Sequence, residues 1–324
     1  MNVLITGGGG FIGKKLAAKL LQQGTIGGHS IDRLDVVDVV PVQGLSDDPR
    51  LHTAALDITD EPAVRRLIEQ GVDLVFHLAA IVSAAAEADT DLGYRVNLDG
   101  TRHLLEAMRA RPGTPKIVFA SSCAVYGGDM PDVIRDDTHL TPQTSYGTQK
   151  AASELLVADY SRKGFVDGRS LRLPTIVVRP GKPNKAASTF ASSIIREPLA
   201  GQEAVCPVSL ESAMYILSPR RVVQAFVHTA ELPSEAFGMT RSLLLPGITA
   251  SVAEMIEALR RAAGDQAVAR IRHEPDAMIQ RIVQGWAPRA DAARARSMGY
   301  EADASMDEIV RAHIEDELGG RIAT

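Results

Sequence analysis

The chain has 324 residues, 45% of them hydrophobic and 23% charged, and its 35 Lys plus Arg against 40 Asp plus Glu leave a net charge of −5. These proportions describe a globular protein long enough for two domains, or for one large domain with an appendage. With a pI near 5.9 and no basic run longer than a pair such as Arg220-Arg221, nucleic acid and anionic membrane are excluded as expected partners.

The longest weakly polar stretch, residues 74–86, is shorter than the roughly 20 apolar residues of a membrane span, so no span is expected. Residues 1–5 lack a signal-peptide pattern, and Cys123 and Cys206 form no C-x-x-C. A reducing cytoplasm is the expected compartment. The 8 His residues have no metal-ligand spacing, and no metal is expected.

Short β-branched runs alternate with amphipathic helical patterns through the first half of the chain, the form of repeated βαβ units on a parallel sheet. Strands are predicted at residues 2–6, 34–37, 74–78, 116–120 and 171–178, with a later one at 242–245. Between the first two, Ile12, Leu16, Ala17, Leu20 and Leu21 share one helical face, and Gly24 stops the helix. Asp60 can cap a helix with Pro62 in its first turn, Leu92 to Met108 carry a longer helix that ends before Pro112, and Ser145–Arg162 reads as another. After Pro180 the chain turns irregular to about Leu217, rich in Pro, Lys and Ser, as a substrate-covering segment would be. Ser218-Pro219 then starts a helix, Thr249 and Ser251 offer caps to a helix at residues 252–263, and short helices and loops follow.

The first predicted strand runs straight into Thr6-Gly7-Gly8-Gly9-Gly10-Phe11-Ile12-Gly13 and then a helix. Gly7, Gly10 and Gly13 stand at G-x-x-G-x-x-G spacing, which permits a tight turn. It also lets backbone amides, including those of Phe11 and Ile12 at the helix N-terminus, approach a pyrophosphate. Asp38, 25 residues beyond Gly13, sits where a dinucleotide site places the acid that binds the adenosine ribose diol. The polar insert at residues 25–32 accounts for the extra length. A carboxylate there repels a 2′-phosphate, and no Arg follows to receive one, so NAD is expected over NADP. Asp57-Ile58 lies where a third strand would end and can meet the adenine edge. The fold class is therefore α/β, a Rossmann-like doubly wound parallel sheet with a smaller, mixed C-terminal substrate-binding region. Residues 1–179 are assigned to NAD with 218–247 returning to them, and residues 180–217 and 248–324 to substrate.

Tyr146-Gly147-Thr148-Gln149-Lys150 puts a phenol and an ammonium at i and i+4 on one helix face. A nearby cation favours the phenolate and so makes the tyrosine a usable base. Two dozen residues earlier, Ser121-Ser122-Cys123 leaves the C-terminal end of a predicted strand, where open α/β sheets put their ligands. Either serine hydroxyl can hold a substrate oxygen, and Cys123 reads as a small filler, since no His partners it. His77 reads as a satisfied core histidine, while Leu78, Ala79 and Ala80 are small enough for a cofactor to approach the backbone. Asn97, in the interior of a long helix, is placed to hydrogen-bond inside the fold near the site.

These segments, in this order and spacing, resemble the extended short-chain dehydrogenase/reductase superfamily, which includes the nucleotide-sugar epimerases. The resemblance implies Tyr146 as general acid/base, Lys150 as the group that lowers its pKa and holds the nicotinamide ribose, and Ser122 rather than Ser121 as the hydroxyl that orients the reacting oxygen. It also implies Asn97, Pro174 and Thr175 as cofactor contacts, and a homodimer built on residues 89–109 and 145–162. The acidic pair of dehydratases is missing after Ser122, and the R-x-x-N-x-x-G-P of epimerases is missing after Arg172. That stretch, with Leu98-Asp99-Gly100-Thr101 and the Ser83 loop, is similar to the D-erythronate dehydrogenase family, which oxidises a 2-hydroxy acid to its 2-keto acid with NAD. A small carboxylate needs a cation, and Arg179, Lys182, Lys185 and Arg220 are the candidates, with Ser83 as a hydroxyl contact. The alternatives are a nucleotide-sugar 4-epimerase that holds NAD tightly and a non-catalytic NAD(H) sensor, which would have no need of Ser122, Tyr146 and Lys150.

Overall fold

The computed structural model describes residues 1–181 and 187–322, which belong to two compact units. The first comprises Met1–Val125, Leu140–Arg172 and Val223–Leu244, and the second Tyr126–His139, Leu173–Val222 and Leu245–Thr324.

The first unit is built on a seven-stranded parallel sheet. Its strands are β1 (Asn2–Thr6), β2 (Arg33–Asp38), β3 (Leu51–Ala55), β4 (Leu74–His77), β5 (Lys116–Ser122), β6 (Asp167–Leu173) and β7 (Ser242–Leu244), in the spatial order β7-β6-β5-β4-β1-β2-β3. β1 is an inner strand, with Thr6 beside Val37 on one side and His77 on the other. Strand order reverses between β1 and β4, and the crevice beyond their carboxyl ends is where such sheets bind ligands.

Val3, Leu4 and Ile5 of β1 are fully buried. Helix α1 (Phe11–Gln23) buries the predicted face Ile12, Leu16, Ala17, Leu20 and Leu21 and ends on Gly24, whose φ of 71° suits glycine. Asp60 caps α2 (Glu61–Ile68) by accepting from the Ala63 amide. The long helix expected from Leu92 to Met108 is present and begins at Thr90. It runs as α4 (Thr90–Gly93), a π-helical stretch Tyr94–Asp99 and α5 (Gly100–Arg109) without a break, and a separate short helix, α3 (Ser83–Ala88), precedes it. Helix α6 spans Ser145–Arg162 as predicted, with Thr144 as its cap.

The strand expected at 171–178 is split. β6 begins earlier, Pro174 brings no N–H to continue the ladder, and Thr175–Ile176 joins a separate three-stranded sheet with Ala213–Leu217 and Ile248–Ser251 in the second unit. The region read as irregular up to Leu217 contains a helix at Thr189–Leu199 and strands at Ala204–Cys206 and Ala213–Leu217. Its serines and β-branched residues are weak helix formers. What holds the helix is burial of Phe190, Ala191, Ile194, Ile195 and Leu199 in the second unit's core. Ser251, not Thr249, caps the following helix through a reciprocal pair with Glu254, and that helix runs to Val268 across a kink at Gly264. The C-terminal part holds a 13-residue helix, Met306–Leu318, longer than expected. Among the described residues no helix is long and apolar enough to cross a membrane.

Candidate active site

The glycine loop leaves β1 into α1, and steric limits fix its composition. Gly7 has φ of 71°, and a Cβ there would lie 2.5 Å from the Ala79 amide nitrogen. A Cβ on Gly13 would lie 2.5 Å from the Gly7 carbonyl oxygen. The loop after β4, with Leu78 and Ala79, therefore closes directly on the glycine turn. Helix α1 has no side-chain cap and no acid in its first turn, which leaves its N-terminal amides and their partial positive charge for an anion. Asp38 ends β2 and accepts from the Gly9 amide through Oδ2 at 2.9 Å. Its Oδ1 takes no hydrogen bond from the described residues and can accept from a diol. Glycine cradle, uncapped helix and carboxylate together fit a dinucleotide.

Asp57 lies two residues beyond β3 in a turn, where its Oδ1 accepts from the amide and hydroxyl of Thr59. Ile58 is buried against Gly100. Oδ2 of Asp57 and the Ile58 backbone are what this turn can offer a base.

At the end of β5 the two serines have different tasks. Ser121 is buried and donates to Glu154 Oε1 at 2.5 Å, and Glu154 is paired with Arg172 at 2.8 Å. Ser122 is partly exposed, and its Oγ accepts from the Ala124 amide at 3.1 Å, which leaves its proton to donate. Helix α6 sits hard against this turn, since a Cβ on Gly147 would come within 2.1 Å of the Ala124 carbonyl oxygen. That packing fixes the helix carrying Tyr146 and Lys150 beside Ser122. Lys150 is 2% exposed; Nζ donates to the Ala120 carbonyl at 2.8 Å and stands 4.6 Å from the Phe119 ring centre and 5.6 Å from that of Tyr146. Burial pulls the Lys150 ammonium down to about 7, against the pull of Glu154 in the other direction. Cys123 is partly exposed, with Sγ 4.0 Å from the Arg172 carbonyl.

His77 is a core histidine as read. Its ring bridges the hydroxyls of Thr6 at 2.7 Å and Thr101 at 2.9 Å. Because Thr101 donates to the Asn97 carbonyl at 2.7 Å, it must accept from Nε2–H, so Nδ1 accepts from Thr6. Burial, and secondarily Lys150, lowers His77 to about 3, which keeps it neutral. Asn97 is 1% exposed, accepts from the Ile81 amide at 2.8 Å, and donates to the Ile81 carbonyl at 3.0 Å and to Gln149 Oε1 at 2.7 Å. With both side-chain N–H groups used inside the protein, Asn97 holds the loop after Ala80, the internal hydrogen bond expected of it. Sequence reasoning missed Gln149 and Glu154, which looked like ordinary helix formers.

Of the proposed substrate residues, Ser83 opens α3 in the first unit. Thr175, beside Pro174, lies in the second unit's small sheet. Arg179 donates to the Ile176 carbonyl and Ser188 hydroxyl, both at 3.0 Å. Lys182 and Lys185 lie outside the described residues. Arg220 is a correction: it pairs with Asp316 at 2.6 Å and Glu315 at 2.8 Å. These carboxylates raise its pKa further and occupy the fork that a substrate carboxylate would need.

The model of the NAD dependent epimerase/dehydratase family matches residues 3–237, and the chain belongs to that family. It is 53% identical over 320 residues to the D-erythronate dehydrogenase of Cupriavidus necator, covering 98% of each chain. It is 44% identical over 318 residues to the D-erythronate dehydrogenase of Haemophilus influenzae, covering 98% of this chain and 100% of that one. The crystal structure of the nucleoside-diphosphate-sugar epimerase from Agrobacterium tumefaciens matches with a TM-score of 0.95 at 47% identity, covering 100% of this chain and 96% of that one. NAD is the cofactor that family membership brings.

Proposed function

We propose that the protein is an NAD-dependent dehydrogenase that oxidises the 2-hydroxyl of a small sugar acid, D-erythronate or a close analogue, to the 2-keto acid. The observation that carries the reading is the ammonium of Lys150 held 5.6 Å from the Tyr146 ring centre, on the helix packed directly against the turn that follows the partly exposed Ser122. Full-length likeness to two D-erythronate dehydrogenases supports the substrate class.

When bound, NAD supplies the two-electron acceptor for the alcohol carbon. Gly7, Gly10, Phe11 and Ile12 would hold its pyrophosphate, Asp38 its adenosine ribose, Asp57 and Ile58 its adenine edge, Leu78, Ala79 and Ala80 the facing wall, and Pro174 and Thr175 the nicotinamide amide. Ser122 donates to the substrate oxygen and fixes its position. Tyr146 takes the hydroxyl proton, and the Lys150 ammonium favours the phenolate that does so. Lys150 keeps two of its three N–H groups beyond the Ala120 bond, and these are the donors it would turn to the nicotinamide ribose. Ser83, Arg179 and Lys185 are the proposed substrate contacts.

Residues 1–179 with 218–247 serve the cofactor, and residues 180–217 with 248–324 the substrate. We take the enzyme to be a cytoplasmic homodimer joined through residues 89–109 and 145–162. Likeness to the Agrobacterium epimerase gives a second reading, a nucleotide-sugar 4-epimerase with tightly held NAD; the missing R-x-x-N-x-x-G-P pattern weighs against it. A screen of NADH absorbance over sugar acids and sugar nucleotides separates the two. The dehydrogenase reading expects net NADH with D-erythronate and none with sugar nucleotides. Epimer formation from a sugar nucleotide, with no NADH from any acid, would overturn it.

A further inference from the structure

The motif that carries Tyr146 and Lys150 contains a residue with no part in the mechanism, Gln149. It is fully buried, although a glutamine on the surface of α6 would cost less. Its Oε1 accepts from Asn97 Nδ2 at 2.7 Å, and Asn97 grips both the amide and the carbonyl of Ile81. From one turn further along α6, Ser153 donates at 3.0 Å to the Asn97 carbonyl in the π-helical stretch, an oxygen that also accepts from Thr101 in α5. Thr101 leads through His77 to Thr6, the residue before the glycine turn. At the other end of the same segment, Glu87 accepts from the Ser145 amide at 2.9 Å. The stretch from Ile81 to Glu87 is thus fastened to α6 at both ends. Gly93 makes room for this, because a Cβ there would lie 2.6 Å from Gln149 Nε2 and 3.1 Å from Oε1.

We propose that Gln149 is a positioning residue that, through Asn97, holds the loop after β4 at a fixed distance from the catalytic helix and so shapes the wall of the dinucleotide cradle. Without the Gln149 oxygen, one buried N–H of Asn97 has no acceptor, and the amide is free to turn away from Ile81. The loop that closes on Gly7 then loosens while Tyr146, Lys150 and Ser122 keep their places. The expected signature is weaker dinucleotide binding with a nearly intact chemical step.

This inference rests on the NAD-dependent reading above. The test is NADH binding by fluorescence titration, with KM for NAD, kcat and melting temperature measured alongside. Gln149→Met keeps the length and removes the acceptor. It should fold, raise the NADH Kd and the KM for NAD about tenfold, about the effect of one lost hydrogen bond, and change kcat less than about threefold. Gly93→Ala, whose Cβ would press on the Gln149 amide at 2.6 Å and on Ala86 Cβ at 3.1 Å, should reproduce the effect, and should do so much less in a Gln149→Ala background where only the Ala86 contact remains. A folded Gln149→Met with NADH Kd within twofold of the parent, or a Gly93→Ala effect undiminished in the Gln149→Ala background, overturns the positioning role. If Gln149→Met does not fold, the Gly93 series decides alone. A parent enzyme that binds no NADH overturns the functional reading itself, a distinguishable result.

Discussion

Lys150 links catalysis to stability in a way that pH can expose. In the folded chain, burial lowers its ammonium from the usual 10.5 to about 7. At 1.36 kcal/mol per pH unit, that interval corresponds to a cost of about 5 kcal/mol for folding with the charge in place. Below pH 7 both folded and unfolded chains carry the proton, and the whole cost is present. Between 7 and 10.5 the unfolded chain holds a proton that the folded one has released, so stability rises with pH; above 10.5 neither form is charged and the cost is gone. Lys150→Met removes this dependence. It also strands the Ala120 carbonyl, a penalty of about 1–3 kcal/mol that does not vary with pH. The melting temperature of the variant relative to the parent should therefore be highest at pH 6 and fall by pH 9, by several degrees at about 2–4 °C per kcal/mol. Differential scanning calorimetry from pH 6 to 9.5 reads this directly. A difference between the two proteins that is the same at pH 6 and pH 9 would refute a desolvated lysine at this position.

Tyr146→Phe should lower kcat by roughly 10² to 10⁴ while leaving NADH binding near the parent value, because it deletes a proton acceptor and little volume; kcat within twofold of the parent would contradict the assignment. Gly13→Ala should abolish NADH binding in fluorescence titration, since its Cβ would meet the Gly7 carbonyl oxygen at 2.5 Å, and unimpaired binding would remove the glycine turn from the cofactor site. Asp38→Ala should weaken kcat/KM for NAD and narrow the preference over NADP without creating strong NADP use, because losing a repulsion supplies no Arg for the 2′-phosphate; a parent that already prefers NADP refutes the ribose contact. Leu155, 69% exposed on α6, should make Leu155→Arg monomeric by light scattering where the parent is a dimer, and a parent of only 34.6 kDa at micromolar concentration contradicts the assembly.

What was legible in the sequence was whatever obeys a short-range rule. Gly7, Gly10 and Gly13 stand at a spacing read within one strand-to-helix turn, where Gly7 has φ of 71° and a Cβ on Gly13 would meet the Gly7 carbonyl oxygen, and Tyr146 and Lys150 share a helix face by spacing alone. Ser145–Arg162 and Asn2–Thr6 follow from period and burial. What was not legible depends on partners distant in the chain. Ser121 and Ser122 are chemically identical until Glu154, 33 positions on, takes one of them. Arg220 reads as a spare cation until the helix near residue 315 supplies two carboxylates. The helix at Thr189–Leu199 has poor local propensity and exists because a separate core receives its apolar side. Asn97 sits between these cases, since its poor fit to a helix interior signalled an internal hydrogen bond, but only the fold supplies its partners, Gln149 and Ile81, 52 and 16 positions away. The hydrogen-bonded frame behind the reacting groups is thus the part of an active site that a linear motif conceals, and here that frame decides which of two serines and which of several cations remain available for chemistry.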